Sequence, residues 1–158
     1  MQVMEKNIPV TQGEFVIPIR GTEGRATPGS FQLVDLRGSC KLTLTFNGRS
    51  LCAMSSDFFD ALVQLRRRLE KEDLVPVCYG ASRNVYPGDL ARTLAHGLMA
   101  QRREPGCEGR EDLVFIFHTG PDVQPVTVAE QREFRRCWIA GQAGPGLGGT
   151  ETNPQLAG

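Results

Sequence analysis

Two runs of alternating apolar and polar residues, Lys41–Phe46 and Arg49–Met54, are separated only by Asn47-Gly48. A two-residue hairpin loop of the favoured type needs positive φ at both central positions, and Asn-Gly adopts that conformation more readily than almost any other pair. So short a loop leaves no freedom of register. Phe46 must face Arg49, Leu44 must face Leu51, and Leu42 must face Ala53. Leu42, Leu44, Phe46, Leu51 and Ala53 then share one side of the ribbon. Lys41, Thr43, Thr45, Ser50 and Cys52 occupy the other. Phe31–Arg37 is expected to add a third antiparallel strand through a tight turn at Gly38-Ser39.

Upstream, Phe15-Val16-Ile17-Pro18-Ile19 reads as a strand that Pro18, with no amide N–H, confines to an edge. The segment Gly21–Gly29 reads as a loop. Downstream, Ser56 is the expected N-cap of a helix, with Asp57 and Asp60 near its positive end. Phe58, Phe59, Leu62, Leu65 and Leu69 fall on one side at spacings of three and four, with Gln64, Arg67, Arg68 and Lys71 opposite. The triplet Arg66-Arg67-Arg68 resembles a nucleic-acid patch, but helical spacing splays it around the axis, so a solvated face is expected.

Val75–Tyr79 reads as a short edge strand that enters a polar and aromatic loop, Gly80–Gly88. Residues 89–103 are expected to form one helical turn and then a strand, and Glu104–Asp112 a charged loop. Leu113-Val114-Phe115-Ile116-Phe117, an apolar run between breakers, is expected to be a central strand buried on both faces. The loop His118–Pro125 follows. Thr127 with Glu130 forms a capping box that opens a second helix, with Phe134, Cys137 and Trp138 as its apolar stripe and Gly141 as its end.

These elements predict an α+β domain: a mixed, mainly antiparallel sheet of five or six strands with two helices packed on one face. The helix stripes would cover an inner surface formed by Leu42, Leu44, Leu51 and Phe115. Residues 1–140 form the single domain and residues 141–158 a flexible Gly-rich tail.

Composition narrows the functional classes. Eighteen basic residues, fifteen of them Arg, balance eighteen acidic ones, so no global field draws the chain to nucleic acid, which would need a local basic patch. Five cysteines (Cys40, Cys52, Cys78, Cys107 and Cys137) without a C-x-x-C pair suit neither a disulfide framework nor a zinc site. The opening residues lack the apolar stretch of a secretion signal, and no run is long enough to span a bilayer. A cytoplasmic protein without metal, cofactor or membrane is expected.

No phosphate loop, nucleophile elbow or histidine-glutamate zinc motif occurs, and no residue is assigned a catalytic role. Cys78 reads as a buried structural thiol. The unusual feature is the pair of loops at 79–88 and 118–125, which offer Tyr79, Arg83, Asn84, Tyr86, His118 and Asp122 as candidate binding residues. Tyr and Arg are enriched at interface hot spots.

Cys78–Pro87 together with Gly120–Thr127 resembles a group of small bacterial proteins found in polymorphic-toxin and Rhs-type gene neighbourhoods. The similarity spans roughly residues 40–140. That resemblance implies an immunity-type inhibitor and brings no catalytic residues with it. A non-catalytic protein-binding module, with another protein as partner, is the first expectation. A small hydrolase or nuclease using His118, Asp122 and Arg83 is the alternative, and a homodimer built on an exposed strand edge is a third.

Overall fold

The computed structural model describes residues 13–103 and 112–143. It is an α+β fold whose main element is a five-stranded antiparallel sheet. That sheet contains β1 (Gly13–Arg20), β2 (Ala26–Asp35), β3 (Cys40–Phe46), β4 (Arg49–Ser55) and β5 (Val75–Pro76), in the order β4-β3-β2-β1-β5. Helix α1 (Phe58–Glu70) follows β4. A three-stranded sheet consists of β6 (Val85–Tyr86), β7 (Met99–Arg102) and β8 (Asp112–Phe115), with the short helix α2 (Asp89–Leu94) between β6 and β7. Helix α3 (Val128–Ala143) closes the described chain. Among the described residues no helix is long and apolar enough to cross a membrane.

The hairpin has the register its turn demands, with Phe46 opposite Arg49, Leu44 opposite Leu51 and Leu42 opposite Ala53. Asn47 and Gly48 take φ of 49° and 73°. β2 pairs with β3 through a turn at Leu36–Ser39 and is longer than its apolar run suggested, because the loop before it ends at Arg25. Thr27, Pro28 and Gly29 therefore lie in a strand. Pro28 faces Pro18 across the β1–β2 ladder. β1 is not the edge strand expected of it, because β5 pairs with it at Ile19 and Arg20; the Pro18 carbonyl accepts from the Val77 amide on that side, so the missing N–H faces only this short neighbour, where little pairing is lost.

Ile17, Ile19, Phe31, Leu33, Leu42, Leu44, Phe46 and Ala53 make the buried face of the sheet, and α1 covers it with Phe58, Phe59, Leu62, Leu65 and Leu69. Gly29 belongs to this layer. A Cβ there would stand 2.8 Å from Ile19 Cγ1 and 2.9 Å from Leu44 Cδ1, so a hydrogen is all the packing admits.

Several sequence expectations need correction. Asp57, not Ser56, is the N-cap of α1: its Oδ1 accepts from the Asp60 amide at 2.7 Å. Arg66 is not on a solvated face, since it is 0% exposed in the core, while Arg67 and Arg68 point outward. The run 113–117 is not a central strand. β8 is an edge strand, Leu113 is 62% exposed, and the chain turns after Phe115 so that only Ile116 and Phe117 enter the core.

Phe117 packs on Phe31 and Phe115 on Phe15, with ring centroids 5.6 and 5.1 Å apart, and these contacts join the small sheet to the large one. Helix α3 does not lie on the large sheet. It packs against α1 and β6, its inner side carries Val128, Gln131 and Trp138, and Cys137 is exposed. It continues past Gly141 to Ala143. The Thr127–Glu130 capping box forms as read, with the Glu130 amide donating to Thr127 Oγ1 and the Thr127 amide to Glu130 Oε1. Residues 104–111, with Cys107, and the tail from residue 144 lie outside the described residues.

The free edge at β4 is capped by α1. Arg68 Nη1 donates to the Cys52 carbonyl at 2.8 Å and Gln64 Nε2 to the Met54 carbonyl at 3.2 Å. A second copy adding a strand here would have to displace both side chains.

Gly29→Ala should destabilise the fold by about 1–3 kcal/mol through overpacking, measured as a lowered denaturant midpoint at unchanged slope.

Candidate functional site

The two long loops run side by side. The Tyr79 amide donates to the His118 carbonyl, Gly80 to Ile116, Arg83 to Gln124, and Val126 to Ala81, all between 2.8 and 3.1 Å. Ser82 Oγ accepts from the Gln124 amide at 2.9 Å. Gly80 makes the close approach possible, because a Cβ there would meet Leu62 Cδ2 at 2.5 Å and Ile116 Cβ at 3.0 Å.

Beneath this seam lies a polar cluster in the core. Arg66 Nη1 donates to Gln131 Oε1 at 2.6 Å and to the Gly80 carbonyl at 3.2 Å, and Nη2 donates to the Val126 carbonyl at 2.9 Å. The Gln131 amide nitrogen lies 2.8–3.1 Å from the carbonyls of Gly80, Ser82 and Val85. One guanidinium and one amide thus fasten α1, α3 and both loops together. Burial pushes the Arg66 guanidinium down to about 10, so it remains cationic at neutral pH. Cys78, close by and fully buried, is pushed up to about 11 by the same desolvation and stays a thiol.

The six sequence candidates divide into two groups around this seam. Tyr79 O–H donates to Asp122 Oδ1 at 2.6 Å, and Arg102 pairs with both Asp122 and Asp112. The bond from Tyr79 holds the Asp122 carboxyl below its ordinary range, and Asp122 in turn raises the Tyr79 phenol. The His118 ring lies beside Phe115, with centroids 4.7 Å apart. Asn84 is buried, bonded to Ser82 Oγ and to the Arg103 carbonyl, and presents nothing to a ligand.

On the other side, Arg83 lies over the Phe134 ring at 4.9 Å, and Tyr86 packs on Phe59 at 5.1 Å. No hydrogen bond or ion pair joins any two of His118, Asp122 and Arg83.

Tyr86 leads into a feature that sequence reading missed. Arg92 and Arg135 stand over its ring at 5.7 and 4.9 Å, Arg135 stands over Trp138 at 5.3 Å, and Arg103 over Trp138 at 4.6 Å. With Arg83 on Phe134, whose ring is 6.4 Å from Trp138, arginines and aromatic rings alternate between α3, β6, α2 and the residues just before β6 and just after β7. Arg92 also pairs with Asp57. Arg83 and Arg135 form no ion pair among the described residues. The groove between α1 and α3, about 400 Å³, contrasts with this: Arg67, Arg132 and Arg136 there mix with Glu70 and Glu133, and Arg136 pairs with Glu133.

No group of three or more metal-ligating side chains converges among the described residues. No family model matches the chain, and no curated protein matches it either.

The Tyr79–Asp122 bond has a sign that can be measured. A raised phenol contributes stability that is present below the ordinary tyrosine range near pH ~10 and is lost as pH rises through the raised value. Asp122→Asn should lower the Tyr79 titration midpoint, followed by near-ultraviolet absorbance in a Tyr86→Phe background. An unchanged midpoint would mean that the bond does not form in solution.

Proposed function

We propose that the chain is a non-catalytic protein-binding module whose contact face is the arginine–aromatic array of Arg83, Tyr86, Arg103, Phe134, Arg135 and Trp138. The observation that carries this reading is the stacking itself. Tyr, Trp and Arg dominate interface hot spots, and these side chains are already held in place by each other and by the loop seam, which lowers the entropy lost on docking. The resemblance to proteins of toxin gene neighbourhoods makes an immunity-type inhibitor the specific form of the proposal. The four described cysteines are free thiols, which suits the reducing cytoplasm.

A hydrolase acting through His118, Asp122 and Arg83 finds less support. The Asp122 carboxylate is engaged by Tyr79 and Arg102, and Arg83 rests over the Phe134 ring. A dimer formed along β4 would compete with the Arg68 and Gln64 caps.

Affinity capture from the native cell, followed by reconstitution with the purified partner, tests the reading. A stoichiometric complex is expected, and Arg83→Glu or Tyr86→Ala should weaken it at least about tenfold, since each removes a buried or charge-assisted contact. A partner that binds both variants as tightly as the natural chain would rule this face out.

A further inference from the structure

We infer that this face takes an acidic stretch of a partner protein, with carboxylates as the recognised groups; the inference rests on the protein-binding reading above. A guanidinium presents its N–H donors in a planar fork that matches a carboxylate bidentately. Arg83 lies over Phe134, and Arg135 over Tyr86 and Trp138, and neither has an ion-pair partner among the described residues. The Glu130 carboxyl, which also feels the Arg83 charge, is lowered mainly by its own Thr127 contacts and is engaged in the helix cap.

Arg83 and Arg135 thus bring to this face positive charge that no ion pair among the described residues takes up, in a chain with no net charge.

The same geometry argues against a nucleic acid. Single strands bind by stacking bases on open aromatic faces. Here guanidiniums already stand over the rings of Phe134, Tyr86 and Trp138, and Trp138 is only 8% exposed.

Trp138 is the sole tryptophan, so its emission reports on this face without labelling. Titration with an oligo-glutamate peptide should change that emission saturably, while an oligo-lysine peptide should not. Arg135→Glu should weaken binding at least about tenfold, and Arg135→Lys, which keeps the charge but loses the forked guanidinium, should weaken it severalfold at unchanged thermal midpoint.

Three results overturn the inference: no saturable change with oligo-glutamate, equal binding by Arg135→Glu, or tighter binding of an oligo-thymidylate of matched charge. A reconstituted protein complex that needs Arg83 while oligo-glutamate leaves Trp138 unmoved would preserve the protein-binding reading and discard the acidic partner. Saturable oligo-glutamate binding with a protein complex indifferent to this face would discard both the protein-binding reading and the acidic partner protein that rests on it.

Discussion

A cation with no carboxylate partner sits in the core, and the arrangement of the loops follows from how it is satisfied. Arg66 is enclosed by apolar neighbours on α1, where an isolated charge would be prohibitive. It is tolerable because its two terminal nitrogens find the Gly80 and Val126 carbonyls and Gln131 Oε1, while its buried Nε has no partner. Those acceptors belong to three separate parts of the chain. Those bonds bring both loops and α3 to one place, and removing the guanidinium would leave the buried Gln131 Oε1 and the half-buried Val126 carbonyl without the donor each now has.

The surface array depends on that core arrangement. Gln131 and Trp138 are seven residues apart on α3, so they share a side of the helix. Anchoring Gln131 inward against Gly80, Ser82 and Val85 brings Phe134, Arg135 and Trp138 alongside Tyr86 and Arg83. Each stacked pair contributes only about 0.5–1 kcal/mol at a partly exposed site. Their joint effect is less on stability than on placement, because they set arginines and rings beside one another.

Much of the large sheet was legible because local rules sufficed. Asn47-Gly48 set the β3–β4 register through turn geometry alone, and the Phe58–Leu69 stripe identified the buried side of α1. The errors arose where tertiary satisfaction outweighed local pattern. Arg66 lies four residues after Leu62 and three before Leu69, so spacing alone put it on the apolar side; its charge suggested water instead. Leu113–Phe117 was apolar enough for a central strand, yet a turn after Phe115 splits it between an exposed edge and the core. The segments 79–88 and 118–125 were legible as loops, whereas the seam that joins them was not, since it rests on backbone hydrogen bonds between distant parts of the chain. The arginine–aromatic array was not, since Arg103, Arg135 and Trp138 come together only through pairings between distant segments.

Native-state amide hydrogen exchange on Arg66→Met, a substitution of similar volume and no charge, tests the central role of the buried guanidinium most directly. The account predicts that the Arg83 and Val126 amides, which join the two loops, lose protection by at least about tenfold, while amides of the β3–β4 hairpin keep theirs. Equal loss across hairpin and loops, or no loss at the loop amides, would contradict it.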